Sequence, residues 1–439
     1  MLKASRFLAA PLAALALLVT VALMTGIGVA SAAGSPKAKV KAAASGRALA
    51  SLQRTLRRDL VRTTRHGSVL VYDQSAGRTL FSYAPNTGRL PASVEKLYTT
   101  TAALYEFGPQ GQLHTRIYGV GTLSADGTWT GTLYLRGGGD PTFGDATFNR
   151  DMYGSGANIQ LLVTRLKNAG VKSIDGSIIG DGSYFDSLGG GPDTGYRANL
   201  ETEGELSGLA YDAGFTSRAE VALQPHPVLT AATALASAMR AAGINVPKST
   251  KIGSGVTPAG ASQLAQVGSP SLSRLIELTN SPSDNFFAET LEKNLGATAQ
   301  SPGTTAEGAA VVRSIIDAHL HLSPRLNDGS GLSRYDRTTA EQAVSLLRQM
   351  RGNSAFYNSL SIAGVRGTMS TEMRHTRAAN NCRGKSGTLH DVANLVGYCT
   401  ARNGHKLVFA FLMNGLPNDA SYAHEIEDRM GIALANYDG

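Results

Sequence analysis

Three short stretches of this 439-residue chain carry side chains whose types and spacing suit nucleophilic acyl transfer. In Leu90-Pro91-Ala92-Ser93-Val94-Glu95-Lys96-Leu97 a serine precedes a lysine by three positions. On a helix that spacing puts both side chains on one face, about 5–6 Å apart at Cβ. A serine hydroxyl is a weak nucleophile until a neighbour accepts its proton. A lysine can do so when burial and a nearby positive charge keep its amine neutral. One such pair arises by chance in most chains of this length; two further stretches give it weight. Ser281-Pro282-Ser283-Asp284-Asn285 offers a second hydroxyl and an amide, and Gly384-Lys385-Ser386-Gly387-Thr388 offers a cation flanked by hydroxyls.

Each stretch lies in a context that could hold it in place. Pro91 suits the first turn of a helix, and the apolar pattern runs on to Phe107 before Gly108-Pro109 ends it. Upstream, Leu49, Leu52, Leu56 and Leu60 recur at helical spacing and predict an amphipathic first helix packed on a sheet. Ser68 to Tyr72 and Arg78 to Tyr83 read as a hairpin around a turn containing Gly77. Leu395 to Ala401 and Lys406 to Asn414 read as another, around Asn403-Gly404. Strands of one sheet therefore come from both ends of the chain. From 121 to 264 the pattern changes to Gly-rich connections and two similar helix-strand units, Ile159 to Ala169 and Val228 to Ala242, each ending in Ala-Gly and a β-branched residue. These predict an inserted domain.

The N-terminus has Lys3 and Arg6, an apolar run from Leu8 to Val29, then Ala30-Ser31-Ala32, the pattern of a signal peptide over 1–33. Left uncleaved, it would tie the chain to a membrane. Residues 34–45 read as a flexible linker. Losing the signal takes the net charge from +8 to +6, still basic. Without an arginine-rich stripe interleaved with aromatics, a nucleic-acid partner is not expected. The two cysteines, Cys382 and Cys399, lie at equal distances from the His390-Asp391 midpoint, so a hairpin turning there would set them across from each other; a disulfide and two buried thiols are both open. The nine histidines contain no His-Glu-x-x-His, and His319 and His321, two apart, would not share a helix face. No metal or cofactor is expected. Gly137-Gly138-Gly139 lacks the Gly-Lys-Ser/Thr of a phosphate loop and reads as a tight turn.

The ordered set Ser-x-x-Lys, Ser-x-Asn and Lys-Thr/Ser-Gly resembles that of penicillin-binding proteins and β-lactamases. The chain is more specifically similar to the class C low-molecular-mass penicillin-binding proteins, D-alanyl-D-alanine carboxypeptidases and endopeptidases that trim peptidoglycan peptides. Gly137-Gly138-Gly139-Asp140-Pro141-Thr142, Gly180 to Asp186, Asn327-Asp328-Gly329-Ser330-Gly331-Leu332-Ser333-Arg334 and Gly367-Thr368-Met369 share in this likeness. Ser283 follows Ser93 by 190 positions, whereas class A β-lactamases have a far shorter interval there. The third stretch departs from the family in having Ser386 where threonine is usual, and the segment from Tyr211 to Pro227 is short for the small extra subdomain that many members carry.

The resemblance implies an α+β fold: a transpeptidase-like domain, with an antiparallel sheet flanked by helices, formed by 46–120 and 265–439 around an insert at 121–264. It implies Ser93, Lys96, Ser283 and Lys385 as catalytic residues, and Asn285, Ser386, Gly387 and Thr388 as substrate-binding ones. The expected substrates are stem peptides ending in D-Ala-D-Ala, with β-lactam antibiotics as mimics, and the expected site of action is secreted or in the cell envelope. A β-lactamase, or a catalytically silent wall-binding protein of the same fold, are the alternatives. Oligomeric state is not legible.

Overall fold

The computed structural model describes residues 36–298, 301–417 and 421–439; the signal-like segment 1–33 lies outside them. Helix α1 (Pro36–Thr63) leads into the hairpin β1 (His66–Asp73) and β2 (Arg78–Tyr83). The stretch expected as a linker is thus helical from Pro36 onward: its Ala and Lys residues are strong helix formers and its proline fits a first turn. A 3-10 turn, Ala92–Glu95, then runs directly into α2 (Lys96–Phe107).

The middle of the chain builds a separate sheet. Strands β3 (His114–Leu123) and β4 (Thr128–Arg136) form a hairpin, followed by α3 (Ala146–Tyr153), α4 (Ile159–Asn168), β5 (Ser173–Asp181), α5 (Pro227–Ala241), β6 (Lys251–Ser254) and β7 (Ser262–Gly268). The strand order is β6-β5-β4-β3-β7. β4-β5 and β5-β6 pair in parallel, which requires the crossovers that α4 and α5 supply. Those two helices bury Leu162, Val163, Leu166, Leu235 and Met239 against Leu133, Ile174 and Ile178 of the sheet. The sheet runs from His114 to Gly268, a little wider at each end than the 121–264 expected.

A helical group follows: α6 (Leu272–Asn280), α7 (Asn285–Gly296), α8 (Thr305–Leu320), α9 (Ala340–Met350) and α10 (Ser354–Ser359). The chain then returns through β8 (Ser361–Ile362), β9 (Arg383–Leu389), β10 (Val392–Thr400), β11 (Lys406–Asn414) and α11 (Ser421–Ala435). The first sheet has the order β2-β1-β11-β10-β9-β8, antiparallel throughout, so the N-terminal hairpin joins the C-terminal strands.

Its central strands are apolar on both faces, because helices cover both. In β11, Leu407, Phe409, Phe411 and Met413 pack with Leu52, Leu56 and Leu60 of α1 and Ile426, Met430 and Leu434 of α11. The alternate residues Val408, Ala410 and Leu412 pack with α2 and α6–α9. The period of two sends successive side chains to opposite layers.

Cys382 and Cys399 form a disulfide across the β9-β10 hairpin. The register explains it: Arg383 pairs with Tyr398, and one step outward brings Cys382 opposite Cys399, both buried. For a sequence separation of 17 residues, losing the bridge is expected to destabilise the protein by about 3 kcal/mol. Denaturant unfolding of Cys382→Ser/Cys399→Ser beside the oxidised wild type checks this; coincident curves would contradict it.

Candidate active site

The turn carrying Ser93 is fixed by the sheet before any chemistry is considered. Asn394 of β10 donates from Nδ2 to the carbonyls of Leu90 and Pro91 (2.9 and 2.8 Å), and the Leu90 N–H donates to Asn414 Oδ1 (2.7 Å). The third stretch lies on β9, alongside this turn. A Cβ at Gly387 would stand 2.7 Å from the Pro91 carbonyl oxygen and 3.1 Å from the Val94 nitrogen, so only glycine lets β9 pass this closely. Ala92 (+46°), Glu203 (+61°) and Ser283 (+74°), none of them glycine, flank the site with positive φ. Conformations of this kind cost on the order of 1–3 kcal/mol and persist where the surroundings over-determine them.

Lys96 is fully buried, and its Nζ lies 2.9 Å from Ser93 Oγ, 2.6 Å from Asn285 Oδ1 and 2.9 Å from the Ser330 carbonyl oxygen. The last two partners can only accept hydrogen bonds. A neutral amine has two N–H bonds, which those acceptors take, and one lone pair, which is then left facing the Ser93 hydroxyl. Burial lowers the Lys96 pKa to about 8, against the opposing pull of Glu203, Asp328, Glu289 and Asp284. The geometry can therefore take the proton from Ser93.

Asn285 begins α7, behind Asp284, whose Oδ1 caps the helix by accepting from the Phe287 N–H (2.8 Å). Its Nδ2 donates to the Glu201 carbonyl (2.8 Å) and its backbone N–H to Glu203 Oε2 (2.7 Å). Ser283 sits in the turn just before it, its hydroxyl without a hydrogen-bond partner among the described residues.

Lys385 is also fully buried, donating to the Ser386 carbonyl (2.8 Å). Its pKa lies well below that of an ordinary lysine, first because of burial and then because Lys96 is close. Ser386 Oγ donates to Thr368 Oγ1 (2.7 Å), and Thr388 Oγ1 lies 3.2 Å from His424 Nε2. Beyond Gly384 the outer edge of β9 has no strand partner among the described residues.

Several residues here were not anticipated. Glu289 Oε1 accepts the N–H groups of Gly329 and Ser330, aiming the Ser330 carbonyl at Lys96. Its position four after Asn285, on the same face of α7, was the available signal. Glu95, inside the first stretch, is fully buried against Asp336 and Asp328. These three form the one carboxylate group with metal-like spacing among the described residues. Their hydrogen bonds give a simpler account. Burial raises the Asp328 carboxyl and pushes that of Asp336 up to about 8, while the N–H groups of Gly331 and Ser333 on Asp328, and those of Asn327 on Asp336 Oδ1, pull the other way. Among the described residues no donor reaches Glu95, so its carboxyl keeps its proton and bonds Asp336, its pKa raised well above the usual range by burial and then by Asp336 and Asp328. Arg334, at the end of the Asn327 to Arg334 stretch, pairs with Asp391 at 2.6 Å.

A half-buried serine on a buried lysine at the junction of an antiparallel sheet and a helical group, with a Lys-Ser-Gly-Thr strand beside it, defines a serine acyl-transfer enzyme of the transpeptidase and β-lactamase type. A family model for D-Ala-D-Ala carboxypeptidase 3 (S13) matches residues 49–201 and 207–437, and the chain belongs to that family. A carboxypeptidase of Mycobacterium tuberculosis is 29% identical over 364 residues, 78% of this chain and 75% of that one. The D-alanyl-D-alanine carboxypeptidase of an Actinomadura species is 26% identical over 459 residues, 84% and 81% of the two chains. The fold is that of penicillin binding protein 4 from Haemophilus influenzae, with a TM-score of 0.72 at 20% identity over 87% of this chain and 99% of that structure.

Proposed function

We propose that this protein is a serine-type D-alanyl-D-alanine carboxypeptidase that works on peptidoglycan stem peptides through an acyl-enzyme on Ser93, and that β-lactams acylate the same serine. The observation that carries the reading is Lys96 Nζ at 2.9 Å from Ser93 Oγ, with its other two partners able only to accept.

In this mechanism Ser93 Oγ attacks the carbonyl carbon of the penultimate D-alanine while Lys96 takes its proton. The backbone N–H groups of Ser93 and Thr388 stabilise the oxyanion; losing one such donor typically costs about 3–4 kcal/mol of transition-state stabilisation. The C–N bond then breaks, and the proton reaches the leaving amine by way of Ser283. Water hydrolyses the Ser93 ester in the second half. Asn285 Nδ2 exchanges the Glu201 carbonyl for the substrate's amide. Ser386, Thr388 and Lys385 receive the terminal carboxylate, whose arrival raises the depressed Lys385 pKa and charges it. Gly387 keeps the strand close enough for these contacts. Peptidoglycan as substrate places the work outside the cytoplasm; no helix among the described residues is long and apolar enough to cross a membrane.

The family match and the long interval between Ser93 and Ser283 weigh against a β-lactamase. Benzylpenicillin followed by peptide mapping tests the reading: a lasting adduct on the Ser93 peptide, together with release of D-alanine from a diacyl-L-lysyl-D-alanyl-D-alanine peptide, is expected. Rapid antibiotic turnover without an adduct would establish the β-lactamase instead. Neither adduct nor turnover would leave a silent wall-binding protein.

A further inference from the structure

Thr388 is exposed at the end of the β9 edge, and among the described residues its hydroxyl has one partner, His424 Nε2 at 3.2 Å. His424 stands in the first turn of α11, and its other nitrogen, Nδ1, lies 2.9 Å from Glu427 Oε2. Glu427 is almost wholly buried, while about a third of the His424 side chain is exposed. The two hydrogen bonds divide the ring's roles. Nδ1 keeps its proton for Glu427, so Nε2 is the nitrogen that gains or loses one.

That choice controls Thr388. With neutral His424, Nε2 has only a lone pair to offer, and the Thr388 O–H must donate to it. With charged His424, Nε2–H donates to Thr388 Oγ1, and the hydroxyl proton is free to point into the cleft. We propose that His424 is a specificity-determining residue: its protonated form turns the Thr388 hydroxyl toward the substrate's terminal carboxylate and adds a positive charge beside it. This rests on the function proposed above, in which Thr388 receives that carboxylate.

The charges around the ring favour the protonated form. The His424 pKa is raised, first by the hydrogen bond to Glu427 and also by the charges of Glu427, Glu372 and Asp428, against the effect of burial. Glu427 and Asp428 belong to α11; Glu372 comes from the segment between β8 and β9 and also faces Lys385. Because the folded value lies above the ordinary 6.5, the charged state persists to higher pH than in a free imidazole and is lost as the pH rises through the raised value.

The test compares kcat and KM, from pH 6 to 9, for the diacyl tripeptide ending in a free carboxylate and for the same peptide ending in D-alaninamide. Taking the ratio of the two kcat/KM values cancels the titration of Lys96, which serves both peptides. In the wild type the preference for the carboxylate peptide should fall about tenfold over this range, through KM. In His424→Gln the preference should already be low at pH 6 and vary less; what variation remains belongs to Lys385 and to Glu372 and Glu427, which burial pushes up to about 7. Glu427→Gln removes the carboxylate that supports the imidazolium and should shift the fall to lower pH. Unaltered ratios in His424→Gln, or equal losses on both peptides, would overturn the assignment. A wild type that cleaves neither peptide and is not acylated by benzylpenicillin would instead overturn the proposed function.

Discussion

Lys96→Met is expected to slow acylation of Ser93 by benzylpenicillin by about 10²–10⁴-fold, the usual worth of a positioned proton acceptor. Methionine is unbranched and only one atom shorter, so it fills most of the same buried space and the loss reports the amine. In the wild type the acylation rate should climb with pH through about 8, as Lys96 loses its proton, and then level off. The methionine variant should lack that rise, and Ser93→Ala should form no adduct at all. Stability moves the other way. A buried lysine with a lowered pKa holds fewer protons than the unfolded chain between about 8 and 10.5, so its burial weakens the fold as the pH drops through that window. Lys96→Met should therefore unfold at a higher temperature than the wild type at pH 7. Stopped-flow acylation and calorimetry on the same samples distinguish the loss of a base from a damaged fold; a variant that is both slow and unstable would contradict this account.

The second large effect concerns Glu95. Its folded pKa is raised far above the ordinary 4.5, so its contribution to stability is fully present below about 4.5 and drains away as the pH rises. While the buried carboxyl stays protonated, the loss is about 1.4 kcal/mol for each pH unit above the unfolded value. Glu95→Gln offers Asp336 an N–H donor in place of the carboxyl proton and has nothing to titrate. The two proteins should have nearly equal unfolding free energies at pH 5, and the glutamine variant should be the more stable by several kcal/mol at pH 8. Urea titrations at both pH values measure the difference. Parallel pH profiles would show that Glu95 carries no such proton.

The route from sequence to site was unequal across the chain. The β1-β2 and β10-β11 hairpins of the first sheet were visible, because strand-like apolar runs around Gly77 and Asn-Gly are local signals, and the Ser93 helix was marked by Pro91 at one end and Gly108 at the other. The equal spacing of Cys382 and Cys399 about a turn anticipated their pairing register. What escaped is what depends on distant packing. Nothing local distinguishes Glu95 from a solvated glutamate; its burial follows from the 327–336 loop closing over α2, through contacts such as Thr99 Oγ1 to the Gly329 carbonyl (2.9 Å). His424 had no sequence signal at all, since α11 meets Thr388 only after the sheet has formed. The helical start at Pro36 was missed because a composition of Ala, Lys and Ser suits a linker and a helix alike.

The pairing of β1 with β11 joins His66 to Asn414, and the cleft brings Lys385 beside a turn made almost three hundred residues earlier. A ribosome adding about 5–20 residues per second would have made Ser93 and Lys96 many seconds before their sheet partners emerge. Until β10 arrives, Asn394 cannot hold the Leu90 and Pro91 carbonyls, and until β11 arrives β1 has an unpaired edge. A nascent chain ending before Lys406 therefore has the nucleophile but no assembled cleft, and hydrolytic activity must wait for the last strands of the sheet. The same contacts between distant segments make slow folding the expected regime, with the exposed β1 edge as the feature most in need of protection during that interval.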